Sequence, residues 1–387
     1  MSYARSRLLL GICGVGFFVL ASIAAILSGS PASWLPGEVT WSPSDVGSLL
    51  AVYVCFAALM TPFDLIGGYV LPKRAGTTQH STISFLVGWL RGVCVHAAFF
   101  LTASLLLLTL GRLYGAFGAS VGVLLLGSAL ITWQLELGRL TGSLGLITEL
   151  STADQDRITA AMRQTSAWGW RPRPLILLTH QDPGFTGGVV GLPGREKIAL
   201  PAGMLNRLSS DELAATVARR LEAIDDGSRN RGIIVALIWV LLGFNLSMAL
   251  PHAGASSVSE LTTTCLGFTL WTFLGLLILP TLSRQASFAI DNKVIQRGIS
   301  QESLHRSVSK FDRFQDDEPE RPRLIETIFH PVPSASRRSG DTKIGPPIAW
   351  HAARMTLFLS WACMGTLVRA VHCNVGRPEL WVMYPTD

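Results

Sequence analysis

The stretch 209–231 reads S-S-D-E-L-A-A-T-V-A-R-R-L-E-A-I-D-D-G-S-R-N-R and gathers the side chains best placed for chemistry. Arg219 and Arg220 are donors only; a guanidinium stays charged and neither binds metal nor accepts a proton. Glu222, Asp225 and Asp226 follow within two turns, with Arg229 and Arg231 close enough to pair with them at a helix end. Helical zinc chemistry uses H-E-x-x-H, two histidines one turn apart with a glutamate as base. That motif is absent: His96 and His351 are each followed by Ala. His180 and His330 have no second histidine at ligand spacing and read as loop or surface residues. Gly184-x-x-Gly187-Gly188 lacks the following G-K-[ST] of a phosphate loop, and there is no G-x-S-x-G.

These residues need a helix to position them. Ser209 is a good N-cap, and Glu212 three residues on completes a capping box. Leu213, Val217, Leu221 and Ile224 form an apolar stripe at helical spacing, and Gly227 is a stop signal. Upstream, a helix is expected over 153–165, a short buried strand over 174–179, turns over 182–194 and a second strand over 197–200. A further helix is expected over 282–297, ended by Gly298, with Ser287 and Asp291 four apart on one face. The charged, proline-bearing 315–323 and the Ser, Gly, Pro and Arg-rich 334–347 read as loops.

Composition sets the larger frame. Only 15% of the 387 residues are charged, against about a quarter in soluble domains, and the mean hydropathy is +0.40. Apolar runs over 8–27, 46–71, 93–110, 116–133, 233–250 and 261–282 approach the roughly 20 residues of a membrane span. A weaker seventh, 352–371, carries Arg354 and Arg369 near its ends, where arginines can snorkel. Asp64, Arg91 and His96 also lie near span ends and are expected at the interface. The first run is too long and too poorly followed by small residues for a signal peptide, and reads as a retained span.

Arg5, Arg7, Lys73 and Arg74 fall on one side, with most remaining arginines in 135–232 and 283–350. Loops 28–45 and 251–257 carry no Lys or Arg. By the positive-inside rule the N-terminus and both polar segments are cytoplasmic. The net charge of +6 reads as this topology signal and as attraction to anionic headgroups. No basic run is interleaved with aromatics, so no nucleic-acid partner is expected. Cys13, Cys55, Cys94, Cys265 and Cys363 fall in apolar runs, Cys373 lies just past one, and no C-x-x-C occurs; they read as buried hydrophobes.

The order of these parts resembles the HtpX and CAAX-prenyl-endopeptidase family of integral-membrane zinc metallopeptidases. K-I-A-L-P-A-G-M-L-N-R-L-S-S-D-E-L (197–213) is similar to the family's strand, turn and lead-in to its zinc helix. Two spans follow, then S-R-Q-A-S-F-A-I-D (283–291) resembles the second zinc-site helix, and F-H-P (329–331) its later Ser-His-Pro segment. The likeness covers roughly 175–338. It implies a mainly α, polytopic fold with a split cytoplasmic α+β domain of gluzincin type. It also implies H-E-x-x-H at positions held here by Arg219, Arg220 and Ala223, and a ligand glutamate where Ser287 stands; Asp291 matches the family's Asp.

The expectation is therefore a degenerate member with no catalytic residues, no metal and no cofactor, binding a membrane or peptide partner in the lipid bilayer. An arginine is expected to stand in for the zinc charge and pair with Asp291; exposure of both arginines is the alternative. By the resemblance, the turn-rich 184–194 and the strand Lys197, Ile198, Ala199 and Leu200 occupy the substrate edge and are candidates to align a partner peptide, with an ordinary loop as the alternative. The rival functions are an active zinc peptidase with a non-standard site and an assembly subunit of a membrane complex. The expected division is four spans over 1–134, peptidase-like segments over 135–232 and 283–350 around two spans over 233–282, and a last span with tail over 351–387. A bacterial inner membrane is the expected location.

Overall fold

The computed structural model describes residues 2–39, 41–76, 81–147, 151–180, 184–315, 318, 320–338 and 348–382. Among these, five helices are long and apolar enough to cross a membrane. Helix α1 is Tyr3–Ser28, and α2 is Pro43–Leu65, prolonged to Arg74 through a π-helical turn at Ile66–Val70. Leu20 and Leu27 on α1 are mostly exposed, an apolar outer surface that suits lipid rather than water.

Helix α3 runs Thr82–Thr132 but reverses at Gly115, whose φ of 62° and ψ of −150° are open essentially to glycine alone. Its two legs pack back on each other: a Cβ on Gly118 would lie 2.2 Å from the Leu110 carbonyl oxygen. The apolar runs 93–110 and 116–133 thus form a helical hairpin turned by a single residue.

Beyond the hairpin come β1 (Leu144–Leu146), α4 (Thr152–Ala167), β2 (Leu175–His180), β3 (Gly188–Val190) and β4 (Lys197–Pro201). The sheet order is β1-β2-β4-β3, with β2 and β4 parallel and both outer pairs antiparallel. Helix α5 (Ser210–Asp225) follows, then α6 (Ser228–Met248), α7 (Val258–Gln296) and α8 (Gln301–Gln315). The run 261–282 and the helix expected over 282–297 are one unbroken element, α7. It enters the polar lobe as a rigid continuation of a membrane helix.

That lobe has one core. Trp170, Leu200, Leu213, Leu221, Ile290 and Val308 pack in a single buried cluster, so the two polar segments complete each other across the α6–α7 excursion. The fold is mainly α and polytopic, with a split α+β domain.

Two expectations are corrected. No continuous helix forms over 352–371: α9 (Ala352–Leu359) passes into a 3-10 turn at Ser360–Cys363, and Leu367–Ala370 is a separate short helix. Met364 takes a left-handed conformation (φ 56°), which ends the helix. These pieces are buried within the protein instead of facing lipid. Within the loop expected over 334–347, Ala335–Arg338 is helical, and 339–347 lies outside the described residues.

Candidate functional site

Helix α5 begins at the expected capping box: the Glu212 N–H donates to Ser209 Oγ (3.3 Å), and the Ser209 N–H to Glu212 Oε2 (2.7 Å). Lys310 Nζ on α8 also donates to Glu212 Oε2 at 2.7 Å. Burial works to raise the Glu212 pKa, but the Lys310 and Ser209 hydrogen bonds outweigh it and hold the carboxyl below its ordinary range.

Arg219 and Arg220 are both fully buried, at 1% and 0% exposure, so the exposed alternative does not hold. Arg219 Nε lies 2.6 Å from Asp291 Oδ1 on α7. Arg338 grips the same carboxylate, Nε to Oδ2 at 2.7 Å and Nη2 to Oδ1 at 2.9 Å. Three segments far apart in sequence thus meet on one carboxylate. Ala223 and Ser287 are buried on the same two helices, and Ser287 Oγ is turned to its own helix, donating to the Ser283 carbonyl at 3.1 Å.

Arg220 takes a different direction. Its Nη2 donates to the Thr186 carbonyl at 2.7 Å, just before β3. Arg229 Nη2 donates to the Gly191 carbonyl at 2.5 Å, just after β3. The two arginines bracket the outermost strand of the sheet. Here the partner-edge expectation is corrected for 197–200, while the outer strand itself lies within the expected 184–194. Lys197, Ile198, Ala199 and Leu200 lie on β4, an inner strand paired on one side to β2 and on the other to β3. Ile198, Ala199 and Leu200 are completely buried. The three-residue β3 covers this strand, and it is too short to show an alternation in the sequence.

The remaining candidates are dispersed. The His180 ring stacks on Phe185 with centroids 4.1 Å apart. His330 is buried 5.3 Å, centroid to centroid, from His372, and its carbonyl accepts from Arg284 Nη1. Glu222 accepts from Trp170 Nε1 (2.9 Å) and pairs with Arg297 (3.2 Å); Asp226 pairs with Lys293 (3.1 Å). Asp225 accepts from the Arg171 N–H at 3.5 Å. Among the described residues no group of three His, Cys, Asp or Glu is placed to hold a metal.

Zinc is customarily held by Cys, His, Asp or Glu. Of Arg219, Arg220, Ala223, Ser287 and Asp291 only the last belongs to that set, and two guanidiniums occupy it. The donors present do not fit zinc. Chemically the cluster is a charge lock, one carboxylate bridged by two guanidiniums.

Sequence reasoning missed the third member, Arg338, because it sits in a Ser- and Arg-rich stretch with no periodicity. It also misplaced three membrane-region residues. Asp64 and Arg369 are buried and paired with each other, and Trp89 Nε1 donates to Asp64 Oδ2 at 2.9 Å. His96 is buried as well, its Nδ1 3.2 Å from the Tyr53 hydroxyl. Position near the end of an apolar run suggested the interface. The broken C-terminal segment, which sequence read as a span, supplies an interior partner instead. Arg91 does stay exposed, donating to the Arg139 and Leu140 carbonyls.

No protein-family model matches the chain, and no curated protein matches it. Its fold is similar to that in the crystal structure of S. mikatae Ste24p, with a TM-score of 0.63 and 13% identity, covering 84% of this chain and 80% of that one. The chain therefore has a Ste24p-like fold, and at this identity the likeness carries the fold alone.

Proposed function

We propose that this chain is a membrane-embedded homologue of the HtpX and CAAX-prenyl-endopeptidase metallopeptidases that does not hydrolyse peptides and acts by binding a membrane-protein or peptide partner. The observation that carries the reading is the Arg219–Asp291 pair, which puts a fixed guanidinium where the family resemblance puts a zinc-binding histidine. A guanidinium supplies positive charge but neither activates water nor exchanges ligands. Arg220, at the position of the general base, cannot take a proton. With Arg229 it also occupies carbonyls beside the outer strand, so both the chemistry and part of the edge for a peptide backbone are given over to internal contacts. The loss of catalysis leaves the fold and the bilayer contact in place for binding. On this reading the two peptidase-like segments are cytoplasmic and the membrane is a bacterial inner membrane.

The test is hydrolysis of a quenched fluorescent peptide library by the full chain in lipid nanodiscs, with and without added zinc. No cleavage sensitive to a metal chelator is expected. Chelator-sensitive cleavage that disappears in His330→Ala would instead establish an active peptidase with a non-standard site.

A further inference from the structure

Three sulfur atoms from two distant segments gather where the C-terminal segment packs on α7. Cys265 Sγ on α7 lies 3.9 Å from Met364 Sδ. Cys363 directly precedes Met364, and its thiol is within electrostatic reach of Cys265. Cys363 and Met364 are buried, and Cys265 is half-buried. Thr269 shares the Cys265 face one helical turn on, and its Oγ1 lies 3.1 Å from Thr366 Oγ1. That contact fixes the register in which the two segments meet.

Met364 holds a left-handed backbone, φ 56°, although Gly365, which takes that conformation without strain, is next in the chain. An ordinary side chain kept there marks a position whose strain the surroundings offset, and such positions cluster at binding sites. Ser104 Oγ on α3 donates to Met364 Sδ at 2.6 Å, which engages one sulfur lone pair and leaves the second for another partner. The spacing of the sulfurs suits two ligands of one ion. Sulfurs bonded at about 2.3 Å and opened to a trigonal angle of about 120° stand about 4.0 Å apart. Among the described residues no third His, Cys, Asp or Glu joins the two cysteines, so the third donor is the thioether. Zinc takes Cys, His, Asp and Glu rather than Met. Thiolate with thioether is a donor set of cuprous copper.

We propose that Cys265, Cys363 and Met364 form a site for a single cuprous ion between α7 and the C-terminal segment. Binding exchanges a thiol proton for the ion. One such exchange leaves the charge of the site unchanged, as its apolar surroundings favour. The site shares no residue with the Arg219–Asp291 cluster, and its occupancy is read without zinc or peptide, so it stands or falls apart from the loss of catalysis.

Replacing Cys13, Cys55, Cys94 and Cys373 by Ala leaves Cys265 and Cys363 as the only thiols. The first three are exposed and Cys373 is half-buried, so the changes are mild. This full chain, reduced and in detergent, is titrated anaerobically with cuprous ion against a chromophoric competitor, and the bound ion is examined by X-ray absorption. One equivalent in a sulfur-only shell at about 2.3 Å is expected. Losing a group that merely orients a ligand costs about 10–100-fold in metal affinity. Losing a ligand, in Cys265→Ser or Met364→Leu, is therefore expected to cost about 100-fold. Clearly less than one equivalent, nitrogen or oxygen in the shell, or unchanged affinity in Met364→Leu each overturns the proposal. A second measurement needs no variant to fold: one equivalent of cuprous ion should raise the melting temperature of the unmodified chain, and no rise overturns the proposal as well.

Discussion

Arg219 and Asp291 are 72 positions apart in sequence and 2.6 Å apart in space, and the pair ties the first polar segment to the second. The tie is buried, with 1% and 5% of the two side chains exposed. Its strength then depends on what each partner keeps when the other is removed. Asp291→Ala leaves two guanidiniums, Arg219 and Arg338, without this carboxylate. Breaking a buried pair from one side costs about 3–5 kcal/mol. Arg219→Ala leaves Asp291 with both Arg338 hydrogen bonds. Asp291→Ala is therefore expected to lower the melting temperature in detergent by clearly more than Arg219→Ala. Equal or reversed losses would show that Asp291 is not the hub.

Arg220 should matter for the sheet rather than for the pair. Arg220→Ala removes a donor from the buried Thr186 carbonyl, a loss of about 1–3 kcal/mol. Amide exchange at Gly188–Val190 is expected to accelerate selectively, while β2, two strands away, changes little. Uniform acceleration across the sheet would mean that Arg220 supports the core generally.

The hairpin in α3 offers a clean backbone test. A Cβ on Gly115 would meet nothing within 4 Å, so Gly115→Ala adds strain without a clash. Holding a non-glycine residue in that region costs about 1–3 kcal/mol. Gly68→Ala acts through space instead, because its Cβ would fall 1.9 Å from the Gly376 carbonyl oxygen. Both are expected to lower the melting temperature. The Gly68 loss should be the larger, because the atom its Cβ meets is backbone and cannot swing away.

Acid sensitivity follows from Glu212. Its folded pKa lies below the ordinary value, so its contribution is fully present above the unfolded pKa of about 4.3. It is lost as pH falls through the lower folded value. Lys310→Met removes the strongest lowering contact. The variant is expected to lose stability at neutral pH and to show a smaller further loss between neutral and acid pH than the unmodified chain. An unchanged pH dependence would remove Glu212 from the acid response.

Much of this architecture is legible in the sequence because its signals are local. Apolar runs mark the membrane helices, and Ser209 with Glu212 marks the start of α5. What escaped required the tertiary fold. The two separate apolar runs imply a reversal between 110 and 116, but nothing in the sequence singles out Gly115 as the residue that makes it. Strands β1 and β3 have three residues each, too few to show a period. Arg338 and Arg369 find Asp291 and Asp64 only once distant segments close on each other. The broken segment after Ala352 is apolar enough to suggest a span, but its apolar side chains are spent on protein contacts.

The most direct test of the central claim is metal content. The full chain, purified in detergent without chelator and without a histidine tag, is analysed for zinc by elemental mass spectrometry. With Arg219 paired to Asp291 in place of a ligand set, zinc is expected far below one equivalent per chain. Close to one equivalent, lost on mutating His180 or His330, would contradict the account and make peptide hydrolysis the leading activity.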